Sequence, residues 1–138
     1  MGRVELFLAD TSAVITIFGS PKLRERWRTQ TTAGVIAICP AVELELGRGV
    51  RSVEDHETLS RSLREMFTWV PMDEKAWARA VEVQDSLIAM GAQGSASPID
   101  LAIAATAEGQ KLTLLHRDDD FDRIARITEQ KVVRLDRP

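Results

Sequence analysis

The stretch LLHRDDDFDRIA (114–125) concentrates negative charge directly after a short apolar run. Its four carboxylates within five positions are Asp118, Asp119, Asp120 and Asp122. Carboxylates this close together raise one another's pKa unless a cation or hydrogen-bond donors compensate for the repulsion. Two interpretations follow: the run is the solvated start of a helix, or some of its members bind a cation.

Acidic residues also lie near three other apolar segments. They are Asp10 after VELFLA, Glu43 and Glu45 after GVIAIC, and Asp100 in SPIDLAIAATA. Carboxylates without cysteine or histidine suit a hard divalent ion, Mg²⁺ or Mn²⁺, which prefers oxygen ligands. Such an ion can bind a phosphate oxygen and activate water. The residue types therefore predict a metal site for phosphate chemistry, if the fold brings these segments together.

The predicted secondary structure alternates between strands and helices. Short apolar runs predict five strands, over 4–9, 34–39, 67–72, 112–116 and 131–135. Helical spacing predicts helices over 21–32, 40–50, 52–66, 73–91, 98–109 and 119–126. This alternation favours an α/β fold with a mostly parallel sheet. Ligands of open parallel sheets bind at the carboxyl ends of the strands, which is where most of these acids lie.

Composition restricts the class of protein. The 138 residues, 44% of them hydrophobic, fit one domain over 1–138. The net charge of −3 gives no overall basic field, although a local basic patch can coexist with it. The single cysteine, Cys39, is expected to be a small buried residue. The sequence contains neither of the nucleotide-binding loops GxxxxGK[ST] and GxGxxG. The absence of a signal peptide and of a long apolar run predicts a cytoplasmic protein without a membrane span.

Two of the acids, Asp100 and Asp10, could have a structural role instead of a role in the predicted metal site. Asp100 lies among apolar residues, so its helix is expected to be buried, and a buried carboxylate needs a partner or a metal. It could instead serve only the start of its own helix, which Ser97 caps and Pro98 opens. Asp10 could form a turn at the end of its strand with Thr11 and Ser12.

Four motifs, taken together, carry a family resemblance. LADTSAVI, ELGRGV, DLAIAATA and LLHRDDDFDRIA resemble, in this order, motifs of PIN-domain ribonucleases of the VapC toxin type, over about residues 4–126. The resemblance implies a PIN-like three-layer α/β/α fold with a mostly parallel central sheet of about five strands. It also implies a homodimer, a cognate VapB-type antitoxin that occupies the cleft, and cleavage of structured RNA, transfer or ribosomal, with Mg²⁺ or Mn²⁺.

The same resemblance assigns roles to individual residues. The catalytic acids would be Asp10, Glu45, Asp100 and Asp118. Of these, Asp10, Asp100 and Asp118 would bind the metal, and Glu45 would bind it through water or orient the attacking water. Supporting positions outside the metal ligands would be Ser12, Thr11, Glu43, His116 and Asp120. Glu43 remains an alternative to Glu45, and Asp120 to Asp118, whereas Asp119 and Asp122 are expected to be solvated and Phe121 to pack under the loop.

An RNA substrate requires cations despite the acidic total. The candidates for phosphate contacts flank Glu45 and are Lys22, Arg24, Arg26, Arg28, Arg48 and Arg51. An ordinary solvated surface explains the same residues equally well. The three tryptophans are expected in the core or in a dimer interface rather than stacked on bases.

Other functions remain open from the residues alone. A binding-only domain of the same fold would sequester an antitoxin or RNA without hydrolysis. A receiver or aspartyl phosphatase would also place an aspartate after the first strand, but the phosphatase pattern requires a second aspartate where Ser12 stands. A receiver requires a further acid near the chain start, where only Glu5 is available.

Overall fold

The central sheet consists of five parallel strands within residues 4–137, the part of the chain that this computed structural model describes. In chain order they are β1 (Phe7–Ala9), β2 (Ile36–Ile38), β3 (Thr68–Trp69), β4 (Thr113–His116) and β5 (Val132–Arg134). Their order in the sheet is β3-β2-β1-β4-β5. All five predicted strands are confirmed with shorter bounds, and the sheet is entirely parallel rather than mostly so.

Helices connect the strands throughout the described residues. They are α1 (Thr11–Gly19), α2 (Pro21–Arg26), α3 (Arg28–Ala33), α4 (Pro40–Gly47), α5 (Val53–Met66), α6 (Glu74–Ala89), α7 (Pro98–Gly109) and α8 (Asp119–Thr128). Five of the predicted helices are confirmed within a few residues at their ends. The segment 21–32 is not one helix, because Trp27 ends α2 and begins α3.

Helix α1 was not among the predicted helices. Its sequence, TSAVITIFG, is rich in β-branched residues, which have low intrinsic helix propensity. Tertiary contacts override this preference, because Val14 and Ile17 are fully buried and Asp10 caps the first turn. The chain therefore turns directly from β1 into a helix at Asp10.

The arrangement of the strands determines where a ligand can bind. Every residue of β1, β2 and β4 is buried, and successive strand residues point to opposite faces, so helices cover both faces of the sheet. After β3 the chain crosses to the other side of β1, which creates a topological switch point between β1 and β4. A crevice forms at such a point, outside the carboxyl ends of the strands. No helix within residues 4–137 is long and apolar enough to cross a bilayer.

Candidate metal centre

Asp10 lies at the carboxyl end of β1 and caps α1. Its Oδ1 accepts a hydrogen bond from the backbone N–H of Ala13 at 2.9 Å, and both carboxylate oxygens lie 2.8 Å from the donating hydroxyl of Ser12. The Ser12 hydroxyl also accepts from the backbone N–H of Arg117, which follows β4. Ser12 therefore joins the ends of β1 and β4. The structural role expected for Asp10 at the end of its strand is observed, in the form of the cap of α1.

Asp100, Asp118 and Asp120 come together beside this junction. Each offers a carboxylate oxygen, and the three oxygens lie within 4.8 Å of one another. Three carboxylate oxygens this close together could bind one divalent ion. The donor set consists of oxygen alone, which also fits Mg²⁺ or Mn²⁺. Asp10 is not part of this group of oxygens among the described residues.

Local structure fixes the two flanking acids. Asp100 is in the first turn of α7, where its backbone N–H donates to Oγ of the capping Ser97 at 3.1 Å. Asp118 caps α8, and its Oδ1 accepts from the backbone N–H of Asp120 at 2.9 Å. The predicted Ser97 cap and the buried α7 are confirmed, since residues 101–107 are all buried.

Electrostatic coupling joins these acids into one site. Burial is the main cause that raises the pKa of Asp10 to about 6, the hydrogen bonds from Ala13 and Ser12 oppose it, and the charge of Asp100 adds to the rise. Burial also raises the pKa of Asp100, to which the charges of Asp118 and Glu45 contribute. For Asp120, burial and then the neighbouring Asp118 raise the pKa. A divalent cation would relieve this repulsion.

Glu45 approaches the site from α4, whereas Glu43 points elsewhere. Oε1 of Glu45 accepts a hydrogen bond from the Thr11 hydroxyl at 2.5 Å, which attaches α4 to α1. Glu43 instead lines a cavity beside Trp69. Residues two apart on a helix do not share a face, so this separation is expected.

His116 supports the loop that carries Asp118. The imidazole is fully buried, and its Nδ1 accepts from the backbone N–H of Asp118 at 3.2 Å. The ring packs against Phe121, which is itself fully buried as predicted, with centroids 5.5 Å apart. Burial lowers the pKa of His116, so the neutral form that this hydrogen bond requires is favoured.

Two members of the acidic stretch were expected to be solvated. This is confirmed for Asp119, whose side chain is 79% exposed, and holds only in part for Asp122, whose side chain is 36% exposed. Both also contact an arginine. Asp119 and Asp122 lie 2.7 Å and 3.7 Å from Nη1 of Arg134, a side chain that is 15% exposed on β5. Nε of Arg134 also approaches Asp136 at 3.6 Å. The arginine in KVVRL gave no local signal of this role, because the contact depends on the pairing of β5 with β4.

Comparison with protein families agrees with this architecture. The PIN-domain model matches residues 7–127. The chain belongs to the PIN-domain family. The PIN-domain match spans all four motifs, from Asp10 to the stretch after β4, so the resemblance seen in the sequence is confirmed.

Similar proteins of established name are ribonucleases of the VapC group. The PIN domain is 38% identical to Ribonuclease VapC21 of Mycobacterium tuberculosis over 126 residues, which are 91% of each chain. It is also 38% identical to Ribonuclease VapC2 of that species over 133 residues, 94% of this chain and 92% of the relative.

Solved structures have the same fold at low sequence identity. The DNA-bound VapBC from Salmonella typhimurium contains a chain that superimposes with a TM-score of 0.78 at 19% identity and covers 96% of this chain and 99% of its own length. FitAcB from Neisseria gonorrhoeae gives a TM-score of 0.71 at 22% identity, with 94% and 98% covered. The three-layer α/β/α fold is therefore confirmed.

The PIN domain uses several of the predicted RNA-binding cations in its own structure. Arg24 donates to the carbonyls of Ile17 and Phe18 at 3.3 and 2.8 Å. Arg26 donates to the carbonyl of Arg137 at 2.5 Å, and Arg28 pairs with Glu25 at 3.6 Å. Within residues 4–137, the remaining candidates have no protein hydrogen bond or ion pair through their side chains. These are Lys22, Arg48 and Arg51.

The three tryptophans have different environments. Trp27 is in the core, where its indole N–H donates to the carbonyl of Leu135 at 2.9 Å and its ring contacts Phe7 edge to face. Trp69 and Trp77 are 56% and 49% exposed. The expected position in the core is thus confirmed for Trp27. Trp69 and Trp77 lie at the surface instead, where a dimer interface or stacking on bases are the remaining alternatives.

Proposed function

We propose that the chain is a metal-dependent endoribonuclease and the toxin of a type II toxin–antitoxin system. One observation carries this proposal: the carboxylate oxygens of Asp100, Asp118 and Asp120 converge at the switch point of the sheet. The names of the ribonuclease relatives, 38% identical over nine-tenths of the chain, support RNA as the substrate. We treat residues 1–138 as one catalytic domain.

Mg²⁺ or Mn²⁺ would be held by Asp100 and Asp118, with Asp10 and Asp120 as further candidates. Asp120 is a member of the oxygen cluster, whereas the sequence assigned it a supporting position, and the charge of Asp100 acts on Asp10. When bound, the ion would polarise a phosphate oxygen and lower the pKa of the attacking water. The intermediate exposure of Asp100, Asp118 and Asp120 leaves the site open to a long substrate.

The protein's own groups would position the reaction. Glu45, anchored by Thr11, orients the water through a carboxylate that can accept its proton. Water oxygen then bonds to phosphorus, and the bond from phosphorus to the 3′ oxygen breaks. The 3′ oxygen takes a proton, which gives a 3′-hydroxyl and a 5′-phosphate. Ser12 holds Asp10, and His116 holds the backbone of Asp118, so both act by positioning.

The partners of the proposed toxin follow from its relatives. The similar ribonucleases are named VapC and the similar structure from Salmonella typhimurium is named VapBC, which supports a cognate VapB-type antitoxin for this chain. We propose a homodimer in the cytoplasm, acting on structured RNA such as transfer or ribosomal RNA. Lys22, Arg48 and Arg51 are the cations available for its phosphates.

The test is cleavage by purified, antitoxin-free protein. Total bacterial RNA is incubated with Mg²⁺, with Mn²⁺ and with EDTA, beside a folded Asp10→Ala control. Discrete fragments that require metal and are absent with the control would support the proposal, and end mapping would identify the RNA. A folded protein that binds RNA or antitoxin without cleavage under any metal would favour the catalytically silent binding domain instead.

A further inference from the structure

A second cavity lies beside the candidate metal centre at the same edge of the sheet. Its volume is about 320 Å³, at the lower end of the range for small-ligand clefts. It is bordered by Ile38 and Trp69, the last residues of β2 and β3. Adjacent strands are about 4.8 Å apart, so the cavity is within about 10 Å of the end of β1. Neighbouring nucleotides of one RNA strand can bridge this distance.

Trp69 provides an aromatic surface at the cavity. The side chain is 56% exposed, although it ends an edge strand in a predominantly apolar region. Leu63 and Phe67 form an apolar floor next to it and are both buried. An exposed indole above an apolar floor is suited to stacking with a flat base, which contributes affinity for single-stranded nucleic acid.

The charged groups of the cavity are one carboxylate and one guanidinium, and the hydroxyl of Thr68, which also lines it, donates to the carbonyl of Ile36 at 3.3 Å. Glu43 is half-buried, and Arg64 lies at the exposed end of α5. Neither makes an ion pair with another residue in 4–137. Arg61, one turn earlier on α5, lines an adjoining surface together with Arg64, and Glu57 and Glu65 line the same surface. Arginines at this rim are complementary to a phosphate backbone.

The position of Glu43 on α4 connects the cavity to the metal centre. Glu45 contacts Thr11 on the side of the acidic cluster, while Glu43 faces the cavity. One helix thus presents a carboxylate to each of two neighbouring sites. This explains why the sequence contains two acids in ELELG, of which only one is needed at the metal centre.

We propose that Glu43, Arg64 and Trp69 form a subsite that recognises a guanine base of the RNA next to the cleaved bond. This inference rests on the proposed function, because it takes RNA as the substrate. Trp69 stacks on the base, and Arg64 contacts a phosphate. Glu43 accepts hydrogen bonds from the Watson–Crick edge of the base. Guanine alone among the four bases offers two adjacent N–H donors there, which match the two oxygens of a carboxylate.

Binding of short labelled RNAs tests the subsite. An Asp100→Asn chain, used as a common background to prevent cleavage, is titrated with fluorescein-labelled UUGUU, UUAUU, UUCUU and UUUUU, and anisotropy gives Kd. We expect UUGUU to bind at least about fivefold more tightly than the others. Trp69→Leu should weaken all four by about tenfold, while Glu43→Gln should remove only the preference for guanine. Trp77→Leu, at the other exposed tryptophan, is the matched control and should change nothing.

Several results would overturn the subsite. They include equal affinity for all four RNAs, absence of binding to any, a preference for another base, or Trp69→Leu binding like the Trp77→Leu control. If Trp69→Leu releases a co-expressed antitoxin without altering RNA affinity, the cavity binds a peptide instead. Circular dichroism establishes that each variant is folded.

Cleavage by the wild-type chain separates this inference from the proposed function. Metal-dependent cleavage with no guanine at a fixed position beside the mapped cut would overturn the subsite and leave the nuclease intact. A guanine preference that depends on Trp69 and Glu43, without cleavage under any metal, would support the subsite and overturn the nuclease.

Discussion

The acidic stretch after β4 divides into two groups with opposite electrostatic surroundings. Asp118 and Asp120 lie with Asp100 in a cluster of carboxylates, where Arg123 contacts Asp120 at 3.1 Å across an exposed surface. Asp119 and Asp122, on the same helix, face the guanidinium of Arg134. The two groups alternate along the sequence but point in different directions. Asp119 and Asp122 are three apart on α8 and share one face, whereas Asp118 precedes the helix as its extended cap.

This difference separates structural charges from charges that require an external partner. Asp119 and Asp122 are compensated by an arginine within the chain, so they attach α8 to β5. Asp100 and Asp120 have raised pKa values because burial and neighbouring carboxylates disfavour their charged forms. Only this second group gains from binding a metal ion. Substitutions and titrations that act on only one of the two groups test that contrast.

Replacement of one acid from each group should separate them most clearly. Asp100→Asn is expected to reduce metal-dependent RNA cleavage at least about a hundredfold, because it removes a proposed metal ligand. Asp119→Asn removes the same charge from the paired group and should leave cleavage within about twofold. Rates of fragment formation under excess Mn²⁺ measure both. Equal losses in the two variants would contradict the distinction.

Metal-free protein should lose stability as the pH rises. The pKa of Asp10 is raised from 3.8 to about 6 in the folded protein, so protonated Asp10 stabilises the fold below about pH 4, and this contribution is lost as the pH passes 6. The loss is on the order of 3 kcal/mol. Urea unfolding in EDTA at several pH values measures it.

Asp10→Asn provides the control for this pH dependence. The amide does not titrate, so the decline between about pH 4 and pH 6 should be smaller in the variant than in the wild type. Addition of Mg²⁺ at neutral pH should restore stability to the wild type by mass action. Identical pH profiles for the two proteins would show that Asp10 is not the responsible group.

Removal of Arg134, the cation that pairs with Asp119 and Asp122, should reduce stability more than removal of Arg123, which contacts Asp120 of the metal site. Arg134→Met removes the arginine partner of Asp122 and leaves Asp136 with Arg117 alone, and we expect the unfolding free energy to fall by about 2 kcal/mol. Arg123→Met breaks only the exposed contact with Asp120, in which Arg123 is 49% exposed, and should cost less than about 0.5 kcal/mol. Urea titration of both variants at constant pH gives the comparison. An equal cost would contradict the internal role of Arg134.

The predicted RNA-binding cations show the same contrast between a charge with a partner in the chain and a charge without one. The expected effect of replacing them is the smallest. Arg48→Gln should lower the slope of log affinity against log salt by about one, because Arg48 has no partner among residues 4–137. Arg24→Gln, whose guanidinium is bound to the carbonyls of Ile17 and Phe18, should reduce stability while preserving the slope. Salt titrations of RNA binding distinguish the two. A slope change only for Arg24→Gln would reverse our assignment.

Several features could be predicted from local sequence because their causes are local. The five apolar runs form strands, and the Ser97 cap begins α7, where its hydroxyl accepts a backbone N–H. The motif order also placed Asp10, Asp100 and Asp118 at one edge, since parallel strands bring their carboxyl ends together. The family assignment followed from these motifs without knowledge of the geometry.

Other features depend on contacts between distant segments and had no local signal. The β-branched α1 is helical because its apolar side chains are buried, and Arg24 and Arg26 bind carbonyls instead of facing solvent. The exposure of Trp69 follows from its place on an edge strand. Composition and spacing do not distinguish residues of the same type that differ in such long-range contacts.

The sequence by itself determined the strands, the family and the types of residue at the site, because periodicity and capping act over a few positions. The tertiary structure decided which acids meet. The pairing of β5 with β4 brings Arg134 to Asp119 and Asp122, and α7 brings Asp100 to Asp118 and Asp120. Whether a carboxylate has a cation within a few ångströms is a property of the folded chain, since the Coulomb energy depends on distance in space.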